Sequence, residues 1–113
     1  PPAVTRQRVA RIVRALRARH PGLAIALIGL LPEWDFPQDD VEALARTNSA
    51  LADLATELGL TFVATDRPPI TTAGGGLARD CSADRLHLNE AGYQHLAYWL
   101  IEAGGPVSTL LLP

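Results

Sequence analysis

The feature that most constrains the fold is the apolar run Leu23–Leu30, which lies between two segments of helical periodicity. The run is apolar on both faces, as is typical of a strand inside a parallel sheet that helices cover on both sides. A second short apolar segment, Leu60–Ala64, predicts a partner strand. Because helices and strands alternate along the chain, the sequence predicts an α/β fold with a parallel sheet.

Three helices are predicted, over Thr5–Arg19, Val41–Leu58 and Glu90–Ala103. Their apolar residues recur at helical spacing, and polar residues fill the other faces. The predicted apolar stripe of the first helix is Val9, Ile12, Val13 and Leu16. The predicted N-cap of the first helix is Thr5, and that of the third is Asn89. The second helix is predicted to be capped by Asp39 or Asp40, and Glu42 stands where a capping box from Asp39 would need it. The predicted C-terminal stop of the second helix is Gly59.

Two buried strands are too few for a stable parallel sheet, because each would need a further neighbour. We therefore expect more of the sheet in another chain or in a segment that precedes Pro1. On this reading residues 1–113 are the C-terminal part of a single domain. The chain begins without methionine, so both a cytoplasmic and a secreted location stay open.

Charge and composition argue against several classes of function. The net charge is −2, and this lack of a basic excess disfavours a nucleic-acid partner. All ten positive charges are arginine, and six of them lie between Arg6 and Arg19, where they favour a solvated helix face. The longest apolar run is too short to form a transmembrane segment. The single cysteine, Cys81, excludes a disulfide within the chain.

The residues that suggest chemistry are Asp84 and His87, three positions apart just before the last predicted helix. In a helical or 3₁₀ turn such residues lie over each other, so the carboxylate can accept a hydrogen bond from one imidazole nitrogen. The other nitrogen is then free to act as a base towards a hydroxyl or thiol. Spacing alone leaves two interpretations open, a catalytic pair and an ordinary surface hydrogen bond at a helix entry.

Two stretches resemble the SGNH (GDSL) family of serine esterases. The block Asp84-x-x-His87-Leu88-Asn89-x-x-Gly92-Tyr93 is similar to the closing motif of that family, and residues 21–32 are similar to one of its strands. The resemblance is greatest to the branch of platelet-activating-factor acetylhydrolase catalytic subunits and bacterial acetylesterases. It implies a three-layer α/β/α, flavodoxin-like fold, of which this chain is the C-terminal part.

The resemblance also implies an activity, ester hydrolysis by a Ser-His-Asp triad. His87 would be the general base and Asp84 the carboxylate that orients it. The implied substrate is an ester of a short acyl group, on a sugar or a lipid. Neither a cofactor nor a metal is implied.

The chain departs from the family pattern in one large respect, because the Gly-Asp-Ser block and the oxyanion motifs are absent. Ser49, Ser82 and Ser108 lack that setting. We therefore expect a second chain or an N-terminal segment to carry the nucleophilic serine, and the isolated chain to be inactive. The alternative is a non-catalytic fragment or split subunit that acts by binding to a partner chain.

Four further features each have two interpretations. Cys81 could form a cysteine triad with His87 and Asp84, although a lone cysteine is more often an inert core residue. Asn48, inside a helix stripe, could have a catalytic role, but is expected to be a buried amide that ties the helix to a loop. Trp34 and Phe36 could line an acyl or sugar pocket, or cover the sheet edge. The glycine run 74–76 could be a lid hinge or a disordered loop.

Overall fold

The computed structural model describes residues 1–104, and the tail, to which the sequence assigned no element, lies outside them. The elements in chain order are α1 (Pro2–Arg19), β1 (Ala26–Ile28), α2 (Gln38–Leu58), β2 (Thr61–Val63), a 3₁₀ turn (Arg79–Cys81) and α3 (Glu90–Glu102). Their alternation confirms the α/β class. No helix in the described part of the chain is long and apolar enough to span a membrane.

The two strands pair in parallel, with Ala26 opposite Thr61 and Ile28 opposite Val63. Both strands are shorter than predicted. One more bond, from Gly29 N to Val63 O, extends the ladder before the chain leaves the sheet. Within residues 1–104 the first strand is not buried on both faces, because Ile28 is 40% exposed, and its burial by further parts of the sheet stays a prediction.

The first helix packs on α2 through a face that overlaps the predicted stripe only in part, at Val13. Ala10 and Val13 are buried, whereas Ile12 is 60% exposed. The periodicity identified a helix correctly, but the arginine-rich sequence offers several apolar stripes, and packing against α2 selects one of them. The helix begins at Pro2, where a proline fits the first turn, so Thr5 is not its N-cap.

The start of α2 also differs from the prediction. The helix begins at Gln38 after Pro37, and no side chain caps it, so the predicted capping box is wrong. Asp39 and Asp40 lie instead in the first turn, where their charges interact favourably with the helix dipole. The predicted end is confirmed, since Gly59 adopts the left-handed conformation with φ 68°.

The hydrophobic core joins β2, the long connection after it and α3. Its buried members are Val63, Ile70, Leu77, Cys81, Leu88 and Trp99. Within the connection, Thr71 and Leu77 form an antiparallel bridge, and the glycine run makes the turn between them. A Cβ at position 75 would overlap the side chain of Val41, and Gly75 has a φ of +90°. This turn is therefore packed against α2 and is not a disordered loop.

Candidate active site

The turn from Asp84 to His87 is built by the side chain of Asp84. Its Oδ1 accepts hydrogen bonds from the backbone N–H groups of Leu86, at 3.0 Å, and His87, at 2.8 Å. Its Oδ2 lies 2.7 Å from Nδ1 of His87. Arg85 has a φ of +80°, so the turn is not helical as the spacing suggested. The Asp84 carboxylate accepts hydrogen bonds from the backbone N–H groups that would donate to backbone carbonyls in a helical turn, and it also contacts the His87 ring, as predicted.

The electrostatics of the turn keep Asp84 ionised. The hydrogen bond from the His87 side chain, followed by those from the backbone N–H groups of His87 and Leu86, lowers the pKa of Asp84 well below its usual range. The His87 side chain is 71% exposed. With Nδ1 held by the carboxylate, Nε2 is available to accept a proton from a group that approaches from solvent.

Residues 88–92 hold this turn against the protein. Leu88 is buried in the core. Asn89 donates from its backbone N to Cys81 O at 2.8 Å and from Nδ2 to Asp80 O at 2.9 Å, while Oδ1 accepts from Gly92 N at 3.0 Å. The predicted N-cap of α3 is thereby confirmed. A Cβ at position 92 would lie 2.7 Å from Cys81 O, so only glycine fits there without a shift.

The loop after β1 contacts the same turn. Trp34 donates from its backbone N to Arg85 O at 3.1 Å. The Trp34 ring packs against the core, and the Arg79 guanidinium lies 4.8 Å from the ring centroid. Arg79 also donates to Asp35 Oδ2 at 2.9 Å. The sequence analysis missed this cluster, because Arg79 and Asp35 are 44 residues apart and neither belongs to a motif.

An open cavity of about 500 Å³ lies beside this cluster. Phe36 lines it together with Asp35, Thr72, Arg79 and Asp80. Phe36 therefore lines a cavity, as one of the two interpretations expected, whereas Trp34 packs against the core, a role that neither interpretation gave it. The indole N–H of Trp34 is buried and has no acceptor among residues 1–104.

Asn48 has the structural role that the sequence predicted. Its Oδ1 accepts from Leu30 N at 2.8 Å, and its Nδ2 donates to Leu30 O at 3.1 Å. The same carbonyl accepts from Thr65 Oγ1 at 3.0 Å. Asn48 is 4% exposed. These bonds fix the chain at the end of β1, three residues before the loop that contacts the His87 turn.

The cysteine triad finds no support in the structure. Cys81 is buried in the core, and its thiol lies 3.5 Å from Pro69 O. Burial, with a smaller effect of the Asp80 charge, raises the pKa of the Cys81 thiol. A nucleophilic cysteine needs the opposite shift and access to its base.

Within residues 1–104 no serine forms a hydrogen bond with His87 either. Ser82 is buried, and its hydroxyl lies 3.4 Å from Asp84 Oδ1. Ser49 is exposed on α2, and Ser108 lies outside the described residues. Residues 1–104 also contain no group of three or more His, Cys, Asp or Glu side chains that could hold a metal ion.

Comparison with known proteins identifies the family and the fold of this chain. The model of the GDSL-like Lipase/Acylhydrolase family matches residues 1–95. A solved structure from Streptococcus pneumonia, named as a platelet activating factor, superposes with a TM-score of 0.76 at 24% identity. The match covers 90% of this chain and 51% of that one, so this chain spans about half the length of the structure it resembles. No curated protein matches the chain. These findings confirm the predicted fold class and the resemblance.

Proposed function

The chain belongs to the GDSL-like lipase/acylhydrolase family, and from that premise we propose that His87 and Asp84 serve as general base and orienting carboxylate in ester hydrolysis. Membership of the family suggests an ester hydrolase. The observation that supports the roles of these two residues is the 2.7 Å contact between Asp84 Oδ2 and His87 Nδ1, made by an imidazole that is mostly exposed.

In the proposed reaction, His87 Nε2 takes the proton of a serine hydroxyl as the serine oxygen attacks the ester carbonyl. The ionised Asp84 stabilises the imidazolium that forms. His87 then returns the proton to the departing alcohol, and an acyl-serine remains. Water, deprotonated by the same imidazole, attacks this ester, and the serine leaves with the proton. Each cycle consumes one ester and one water, and releases one acid and one alcohol.

We place the serine outside the 113 residues, in a second chain or in a segment that precedes Pro1. Two observations support this placement. Within residues 1–104 no serine hydroxyl forms a hydrogen bond with His87, and the hydroxyl of Ser82 is directed to Asp84 instead. The structure of similar fold has about twice the length of this chain. On this proposal residues 1–113 form the C-terminal part of one hydrolase domain. The substrates we propose are esters of short acyl groups on sugars or lipids.

The experiment begins with the intact mass of the purified sample, which detects any second polypeptide. The chain is then assayed with p-nitrophenyl acetate and a fluorophosphonate probe, alone and with a polypeptide that carries a Gly-Asp-Ser block. His87→Ala should lower kcat by about 10²–10⁴-fold. Asp84→Asn should lower it by up to roughly 10⁴-fold. The matched control is His20→Ala, which removes an exposed imidazole just after α1 and should leave the rate unchanged.

The results separate the proposal from its rival. Labelling of the serine polypeptide, with loss of hydrolysis in His87→Ala, supports the proposed roles. If the assembled protein hydrolyses the ester equally well without His87, another base acts and the assignment is wrong. If the assembled protein is inert to both reagents, the alternative of a non-catalytic, binding subunit takes its place.

A further inference from the structure

Within residues 1–104, two residues other than glycine adopt a φ in the left-handed region. They are Asp35, with a φ of 48°, and Arg85, with a φ of 80°. Aspartate tolerates this region, whereas arginine is strained there because its Cβ crowds a backbone oxygen. One hydrogen bond joins the two places, since Trp34 donates from its backbone N to Arg85 O at 3.1 Å. Strained backbone persists only where surrounding contacts fix it, and this strain lies two residues before His87.

The peptide unit between Arg85 and Leu86 is held at both of its ends. Its N–H, which belongs to Leu86, donates to Asp84 Oδ1 at 3.0 Å. Its C=O, which belongs to Arg85, accepts from Trp34 N. A trans peptide is rigid, and its N–H and C=O point in opposite directions, so rotation of this unit would break both bonds together. The φ of 80° at Arg85 is the conformation in which both bonds form.

The orientation of this peptide unit bears directly on the His87 ring. Asp84 Oδ1 accepts from Leu86 N and also from His87 N, at 2.8 Å. Because a carboxylate is planar, two backbone bonds to Oδ1 fix the direction of Oδ2, which lies 2.7 Å from His87 Nδ1. Without the bond from Leu86, a single backbone bond would remain on Oδ1. The carboxylate could then rotate away from the ring.

Tertiary packing fixes the Trp34 end of this arrangement. The Trp34 ring packs against the core. The carbonyl of the preceding residue, Glu33, accepts from Leu77 N at 2.9 Å. The same loop passes close to Gly76, where a Cβ would lie 3.3 Å from Glu33 O. All of these contacts are made between residues of this chain, and they give the Trp34 N–H a fixed position.

We propose that Arg85 is a positioning residue whose positive φ, held by Trp34, sets the His87 ring against Asp84. Arg85 acts through its backbone and not through its guanidinium. Only the catalytic consequence rests on the proposed function, because the state of the imidazole is measured without substrate. In that reaction Nδ1–H must face the carboxylate, so that Nε2 carries the lone pair that accepts the serine proton. A misdirected ring therefore lowers kcat and leaves KM unchanged.

The test is a series of four substitutions, Arg85→Gly, Arg85→Asn, Arg85→Ala and Arg85→Val, ordered by falling tolerance of a positive φ. All four remove the same charge, so differences among them report the backbone alone. The matched control is Ala83→Val, because Ala83 is an exposed neighbour whose φ lies outside the left-handed region. Far-UV circular dichroism verifies that each variant keeps its helices.

Two readouts need only the 113-residue chain. The first is nitrogen-15 NMR of the neutral imidazoles, with the exposed ring of His20 as the internal reference. We expect the His87 proton on Nδ1 in the wild type, Arg85→Gly and Ala83→Val, and loss of that preference in Arg85→Val. The second is hydrogen exchange of the Trp34 amide, which should be about tenfold faster in Arg85→Val than in Arg85→Gly.

The third readout is hydrolysis of p-nitrophenyl acetate with the serine polypeptide present. Arg85→Val should lower kcat about a hundredfold at an unchanged KM, and Arg85→Gly and Ala83→Val should stay within about threefold of the wild type. Equal losses in all four variants would assign the effect to the charge and overturn the proposal. So would an Arg85→Val variant with the wild-type imidazole and kcat.

The readouts also separate this inference from the proposed function. An assembled protein that is inert, but whose His87 tautomer follows the order of the series, contradicts the proposed function and supports the positioning role of Arg85. A hydrolase that needs His87, but whose kcat and His87 tautomer ignore the order of the series, supports the proposed function and contradicts the positioning role.

Discussion

Replacement of Asn48 by alanine tests how the loop beside the candidate site is held. The amide accepts from Leu30 N at 2.8 Å and donates to Leu30 O at 3.1 Å. The two losses are unequal. Leu30 O keeps a second donor, Thr65 Oγ1 at 3.0 Å, whereas Leu30 N loses its acceptor. The main cost of the substitution is therefore one unsatisfied N–H beneath a side chain that is 4% exposed.

The magnitude follows from three contributions. An N–H that loses its partner in a part-buried hydrogen bond costs about 1–2 kcal/mol, the lower part of the range for a fully buried group. The small cavity that the missing amide leaves beside Gly29 adds about 1 kcal/mol. The higher helix propensity of alanine returns about 0.5 kcal/mol. We expect Asn48→Ala to lower the free energy of unfolding by about 2 kcal/mol, seen as a lower urea midpoint at an unchanged m-value.

Two comparisons test this reasoning. Ser49→Ala changes the exposed neighbour on the same helix and should stay within about 0.5 kcal/mol. Thr65→Val leaves Leu30 O with the Asn48 donor and should cost about 1 kcal/mol. The double variant should cost more than the sum of the single ones, because only then does the carbonyl lose both donors. A loss below about 0.5 kcal/mol in Asn48→Ala, or strict additivity in the double variant, would refute the reasoning.

Three further results are expected. Gly92→Ala should lower the free energy of unfolding by about 2 kcal/mol, because crowding against Cys81 O and Leu88 outweighs a helix-propensity gain of about 1 kcal/mol. Chemical denaturation measures it, and a stabilised variant would contradict the predicted clash. Since the pKa of Asp84 is lowered in the folded chain, its stabilising contribution should be complete above the usual aspartate range, near pH 4, and should fade only as pH falls further. A carbon-13 NMR titration of the carboxyl group checks this, and an ordinary midpoint would show that the bond to His87 is absent in solution. Finally, the thiol of Cys81 should react slowly with Ellman's reagent until denaturant is added, and fast labelling of the folded chain would mean that its burial is wrong.

The fold class and the pairing of Asp84 with His87 could be predicted because both depend on local sequence. Alternating helical and apolar segments indicate an α/β fold, and this pattern can be recognised without knowing which segments pack against each other. A carboxylate three residues before an imidazole can reach it within one turn, and both residues of the Asp84–His87 contact lie in that turn. The N-cap Asn89 and the C-terminal Gly59 were predictable for the same reason, since each ends its helix through its own side chain or backbone conformation. The predicted caps Thr5 and Asp39 or Asp40 were wrong, because those helices begin earlier, at Pro2 and Gln38.

Tertiary packing decided the features that the sequence left open or predicted wrongly. Of the predicted stripe of α1, Val13 is buried against α2 together with Ala10, whereas Ile12 is exposed within residues 1–104. The cluster of Trp34, Asp35 and Arg79 carries no local signal, since its members meet only when two distant loops fold together.

The sequence by itself thus determined which segments are helix and strand and that Asp84 and His87 meet within one turn, because those interactions span a few residues, whereas the positive φ of Arg85 in that turn was not predicted. The tertiary structure alone decided which face of α1 is buried, how the loops around the cavity meet and why position 92 must be glycine. These outcomes depend on contacts between residues far apart in the chain, whose energies are set by the shape of the packed surfaces and not by local propensity.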